Sequence, residues 1–171
     1  EESFDPKSAP MVAVAKNGET WKFKNLCGIL ALRLTGNESV KSVTFIGKDA
    51  DGNHMPVSGV FEATPSADSD PSLVCRKGVS SVTLDCETPV MLSSDASVPF
   101  YMMLPPATYS SFIVMVTTSD GKVMMKEATK PLTIKRSDVQ PTAALAYAET
   151  VAIDLSDYGT ANSYIISESG L

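Results

Sequence analysis

The chain has 171 residues, of which 43% are hydrophobic and 20% charged, with a formal net charge of -6. This is enough for one domain with a continuous core, or one domain and a short extension. The acidic balance argues against non-specific nucleic-acid binding, which needs a basic face to release counterions, and no apolar run approaches the roughly 18 residues of a membrane span.

Alternation of apolar and polar residues with period two marks strands along most of the chain. Trp21 and Phe23 alternate with Lys22 and Lys24, and Leu30, Leu32 and Leu34 share a face opposite Arg33 and Thr35. Val43 and Phe45 point away from Ser42 and Thr44, and a turn at Asp51-Gly52 leads into an apolar run at 57–61. Residues 63–71, rich in Pro, Ser, Ala and Asp, read as an exposed loop. Lys77-Gly78 marks a further turn, after which Val82, Leu84 and Cys86 alternate with Ser81, Thr83 and Asp85. Phe100, Met102 and Leu104 form the next stripe. Phe112, Val114 and Val116 follow, and beyond Asp120-Gly121 come Val123 and Met125, then Leu132 and Ile134.

Aspartate followed by glycine tolerates the positive φ of a tight turn, so both Asp-Gly pairs predict hairpins. A two-residue loop at Asp120-Gly121 sets Thr118 opposite Val123 and Val116 opposite Met125. Strands recurring about every ten residues predict an all-β fold built as a two-sheet sandwich. No amphipathic helix stands out. The alanine-rich stretch 143–150 follows a boundary at Gln140-Pro141 and reads as a linker or a short helix, and two more strand-like runs lie at 152–155 and 164–166.

Residues able to do chemistry are scattered. His54 is the single histidine and follows a predicted turn, where exposure is its ordinary state. Cys27, Cys75 and Cys86 include no C-x-x-C pair, so neither a disulfide framework nor a zinc site is expected; all three read as free thiols, with Cys27 and Cys86 buried and Cys75 facing Ser80. Asp49-Ala50-Asp51-Gly52-Asn53 looks like the start of a calcium loop, but Val60 stands where that loop needs a glutamate, so the segment reads as a structural turn. Asn37-Glu38-Ser39 is a glycosylation sequon by pattern alone. Asp68 and Asp70 read as solvating charge, and Tyr101 and Tyr109, which flank Leu104-Pro105-Pro106, read as packed tyrosines. The expectation is therefore no catalytic residues, no cofactor, no metal and no enzyme activity.

Three stretches carry a resemblance when taken in order. The first is Phe23-Lys24-Asn25-Leu26-Cys27-Gly28-Ile29-Leu30, leading through Leu32 and Leu34 to Val40-Lys41-Ser42-Val43. The second is Pro99-Phe100-Tyr101-Met102-Met103-Leu104-Pro105-Pro106-Ala107-Thr108-Tyr109, continuing to Asp120-Gly121. The third is Leu132-Thr133-Ile134-Lys135-Arg136-Ser137-Asp138-Val139-Gln140-Pro141. Together they resemble the N-terminal domain of the Bacteroidales fimbrillin-like proteins, pilus subunits and related surface lipoproteins, over roughly 21–141.

The resemblance implies a Greek-key sandwich, transthyretin-like or immunoglobulin-like, over residues 1–141. Residues 142–171 would then be a linker and the start of a truncated second β-domain, opened by the segment 160–166. It further implies export as a lipoprotein to the cell surface, outer membrane or a fimbrium, with membrane contact only through a lipid anchor outside these residues. The implied function is non-catalytic adhesion or assembly, by β-strand pairing with other pilus subunits or with a second copy, with a surface receptor or glycan as a further partner and no nucleic acid. The alternative is a carbohydrate-binding module of a glycan-uptake system. Family maturation cuts after an arginine behind the first strand; the first arginine here is Arg33, inside a predicted core strand, so protease-driven polymerisation is not expected.

Overall fold

The structure, a computed structural model, describes residues 9–15 and 18–150. These residues form strands, turns and loops, and no helix. β1 (Met11–Val14) and β2 (Lys22–Asn25) make a hairpin of their own. β3 (Gly28–Thr35) is central to one sheet. β8 (Val98–Leu104) runs antiparallel on one side of it, and β13 (Val139–Pro141) and β14 (Leu145–Ala146) run parallel on the other. A second sheet has the order β11 (Val123–Ala128), β10 (Ser111–Thr118), β4 (Ser39–Lys48), β7 (Ser81–Met91), all antiparallel. β5 (Ser58–Thr64) pairs with β6 (Ser72–Val79), and β9 (Ala107–Tyr109) with β12 (Leu132–Ile134).

The alternation seen in sequence becomes burial. Leu30, Leu32 and Leu34 of β3 sit beside Phe100, Met102 and Leu104 of β8, and they join Val40, Val43, Phe45, Phe112, Val114, Val116 and Met124 from the second sheet in one core. Each large side chain fully withdrawn from water contributes roughly 1.5–3 kcal/mol. Val40 and Val43 are three residues apart yet both reach this core, because Lys41 is an extra residue in the pairing with β10: Thr117 faces Ser42 while Thr118 faces Val40. Tyr109 closes one end. Its ring meets Phe45 edge-on at 5.3 Å and its hydroxyl donates to the Pro105 carbonyl at 3.3 Å.

Several turns differ from the sequence expectation. At Asp51-Gly52 the chain does turn, with Gly52 at φ 82°. It is not a hairpin between β4 and β5, however, because β10 and β7 already occupy both sides of β4. The Asp49 N–H to Asn53 carbonyl bond, a bridge from Lys48 to His54 and the Met55 N–H to Gly47 carbonyl bond follow before the chain leaves. Lys77-Gly78 lies inside β6, where Gly78 faces Gly59. A Cβ there would come within 2.5 Å of the Pro56 Cβ, so this glycine serves close approach and not a turn. Cys75 consequently faces Phe61, and Cys27 and Cys86 are half-buried instead of buried.

The β10–β11 hairpin forms as expected but in a different register. Gly121 has φ 86°, whereas Asp120 is not among the positive-φ residues, and a two-residue turn of the expected kind needs positive φ at both. The loop instead has three residues, 119–121, closed by the Thr118 N–H to Lys122 carbonyl bond at 2.9 Å. Val116 therefore faces Met124, which is buried, and Met115 faces Met125, which is exposed.

The stretch 143–150 forms no helix: Leu145–Ala146 extends the edge of β3, and the Thr150 N–H reaches the Val123 carbonyl at 2.7 Å on β11. The strand-like runs at 152–155 and 164–166 lie outside the described residues.

Candidate functional site

Among the described residues, β7 has a strand partner only at β4, and β8 only at β3. Their free sides lie near each other, and between them opens a groove of about 630 Å³. From β7 it is lined by Val82, Thr83, Leu84 and Asp85, and from β8 by Tyr101, Met102 and Met103. Pro10, Leu26 and Cys27 contribute at one end, and Val57, Ser58, Gly59, Phe61 and Leu73 form the wall supplied by the β5–β6 arm.

The lining is mainly apolar, and the hydroxyls of its threonine and serine are already engaged. Thr83 Oγ1 bonds Thr44 Oγ1 at 2.8 Å, and Ser58 Oγ donates to the Ser81 carbonyl at 2.8 Å. Burial pushes the Cys27 thiol above its ordinary pKa, which favours its protonated form. Such a groove suits an extended apolar segment. Unpaired backbone groups on the two strand edges offer hydrogen bonds, and the lining offers contacts for every second side chain.

The β5–β6 arm is fixed at its two ends. At its base, the Val57 N–H bonds the Val79 carbonyl at 2.9 Å, and the Val57 side chain is buried in the core. At its tip, Lys24 Nζ donates to the carbonyls of Ser66 at 3.0 Å and Ser69 at 2.5 Å, and Arg136 forms an ion pair with Asp70. Arg136 also donates to the Asn25 carbonyl at 3.1 Å. It projects from a turn closed by the Asp138 N–H to Lys135 carbonyl bond, in which Ser137 takes the left-handed φ of 62°.

A second groove, of about 560 Å³, lies on the opposite flank, beside β11 and the β13–β14 segment. Leu32, Phe112, Val114, Leu132 and Leu145 line it.

No family model matches the chain, and no curated protein does either.

The residues singled out from sequence are not brought together. His54 is exposed beside Lys48. Asp49 closes its own turn: its carboxylate accepts from the N–H groups of Asp51 at 3.0 Å and Asn53 at 2.8 Å, and these bonds, the Asn53 one foremost, hold its pKa below the ordinary value. Asn37 is exposed. Tyr109 is fully buried, and burial pushes its phenol pKa up; Tyr101 is half-buried in the groove wall. Asp70, read as solvating charge, is exposed but ion-paired. Among the described residues, no three His, Cys, Asp or Glu side chains form a group able to hold a metal ion. The contacts that fix the arm tip, Lys24 with 66–69 and Arg136 with Asp70, were missed. They join residues far apart in the chain, and such pairs leave no local pattern.

Proposed function

We propose that this domain is a non-catalytic structural or adhesive protein of the cell surface or a pilus, and that it assembles by β-strand pairing. On this reading its fold is a two-sheet Greek-key sandwich, transthyretin-like or immunoglobulin-like. The sheet of β3, β8, β13 and β14 faces that of β4, β7, β10 and β11 across the shared core. The observation that carries the functional reading is the apolar groove between the free edges of β7 and β8. The occupant is an extended apolar segment of a second copy, drawn from its residues 151–171, which include Ile153, Leu155, Tyr164, Ile165 and Ile166. The chain reaches Thr150 on β11, and β11 and β7 are the two opposite edges of one sheet. A segment leaving one copy at β11 and entering the next beside β7 makes a head-to-tail contact, which propagates into a filament unless it closes into a ring.

The test is to compare the full chain with a chain ending at Thr150, by sedimentation over a range of concentrations. Self-association of the full chain that is lost on shortening supports the reading. A full chain that stays monomeric, or association that survives the shortening, overturns it. Export as a lipoprotein and a place at the outer membrane rest on the resemblance over 21–141.

One observation favours the alternative of a carbohydrate-binding module. Trp21 and Phe23, alternate residues along the β2 segment, are 64% and 70% exposed, and large aromatic rings left in water mark contact surfaces. Trp21 is the only tryptophan, so its fluorescence on titration with soluble polysaccharides tests this directly. A saturable change abolished by substituting Phe23→Ala supports sugar binding, and an unchanged spectrum refutes it.

A further inference from the structure

We propose that the β5–β6 arm is a latched cover over the groove between β7 and β8, and that the Arg136–Asp70 ion pair, with Lys24, is the latch that sets how often the groove opens. This rests on the groove being the assembly site and adds its regulation.

The arm has the construction of a flap. Its two strands pair with each other and with no other described strand. Two glycines face each other at its root: Gly59, at φ 112°, and Gly78. The register shifts immediately beyond, between Val60 and Phe61, so the root is a break in the ladder and not a stiff extension of it. Phe61 and Leu73 turn inward and line the groove, while Val60 and Val74 point out and are 59% and 47% exposed.

The tip is held by charge. The Asp70 side chain is 75% exposed and that of Arg136 only 20%, so the carboxylate comes to a cation fixed on the body. The buried Arg136 Nε finds no hydrogen-bond partner, so the guanidinium is only partly satisfied even when the latch is closed. Loss of the Asp70 and Lys24 contacts weakens the hold on the tip, so that the arm swings about its root more often and brings the apolar lining within reach of an incoming segment. Salt weakens an exposed pair of this kind, and competing anions at Arg136 or cations at Asp70 do the same.

Cys27 lines the groove and reports on it. In a chain with Cys75→Ser and Cys86→Ser, the rate at which a maleimide modifies Cys27 at fixed pH follows the open population. Asp70→Asn is expected to raise that rate by about two- to fivefold, the range set by the strength of a partly exposed ion pair. Added salt should speed the parent toward the rate of the variant. Glu62→Gln makes the same charge change on the arm but breaks its pair with Arg76, away from the tip, and should leave the rate unchanged. Amide exchange in the chain with its cysteines intact provides the second measurement, with β5 and β6 exchanging faster in Asp70→Asn while β10 does not. Equal Cys27 rates with and without Asp70→Asn, or equal acceleration by Glu62→Gln, overturns the latch, as does unchanged exchange in β5 and β6. Labelling is read on dilute monomer. An arm that opens in a chain that never associates therefore sinks the assembly reading alone, and an arm that stays shut in a chain that does associate sinks the latch alone.

Discussion

Substitution of Gly28 by alanine isolates one consequence of the packing around β3. An added Cβ would stand 2.1 Å from the Lys135 carbonyl oxygen and 2.8 Å from Ile134 Cγ2. The nearer atom is backbone, so no rotamer change relieves it, and the 134–138 segment must retreat by roughly 1 Å to restore an ordinary carbon–oxygen contact. Two hydrogen bonds tie that segment to the same strand entry: Ser137 N–H to the Cys27 carbonyl at 3.0 Å and Ile29 N–H to the Asp138 carbonyl at 2.9 Å. Overpacking costs about 1–3 kcal/mol, and each weakened bond adds about 0.5–1.5 kcal/mol. Alanine returns about 0.4–1 kcal/mol by restricting the unfolded chain. The net expectation is a loss of about 3 kcal/mol, within a range of about 1–5 kcal/mol, or a fall in Tm of about 6–12 °C at the central value for a chain of this size, measured by circular dichroism melting and checked by urea titration. Gly52→Ala is the comparison, since nothing lies within 4 Å of its Cβ and only its φ of 82° resists the change; it should lose about 1 kcal/mol. A Gly28→Ala protein that melts within about 1 °C of the parent, or loses less than Gly52→Ala, refutes the steric argument.

Three further outcomes are expected. Gly121→Val should cost on the order of 1–2 kcal/mol in a denaturant titration, because a β-branched residue resists the φ of 86° that this turn requires; unchanged stability would place the turn elsewhere. Met124→Ala should cost about 2–5 kcal/mol and Met125→Ala less than about 0.5 kcal/mol, since the hairpin register buries the first and exposes the second; the reverse order would restore the two-residue loop. Asp49 should titrate below its ordinary 3.8 in a carbon-detected NMR titration, because the folded turn bonds its charged form. The stabilisation it gives is therefore present above the unfolded pKa and lost as pH falls through the folded one; a midpoint at or above 3.8 contradicts the turn geometry.

What could be read from sequence follows from how local each determinant is. β3, β8 and β10 declare themselves because every second residue is apolar and the pleat converts that directly into burial, as with Leu30, Leu32 and Leu34. The hairpin at Asp120-Gly121 is visible for the same reason, but its register turned on the sign of φ at one aspartate, which the dipeptide does not determine. Gly78 misled because glycine serves close approach as readily as a turn, and the neighbour it must admit, Pro56, is remote in sequence. β13 and β14 are three and two residues long, too short for alternation to show, and their partner is β3. Of the groove, the stripe through Val82 and Leu84 was legible. That no described strand fills the space between the two sheet edges is a matter of strand order, and the arm is held over it by Lys24, Asp70 and Arg136, whose meeting is a product of the fold.

The parallel addition of β13 and β14 to β3 also shapes how the chain comes to be folded. Arg33 N–H waits for the Thr142 hydroxyl, 109 residues further on, and most of one side of β3 is completed only by the strands around it. Closing so long a loop is entropically slow, and contacts of such separation are formed late. During synthesis, every intermediate shorter than about this length carries a strand whose side chains are mostly destined for the core with one ladder edge unpaired, open to the equivalent edge of another nascent chain. The completing strands are therefore a checkpoint: until they arrive, the core can collapse, but the molecule is still able to pair with the wrong partner.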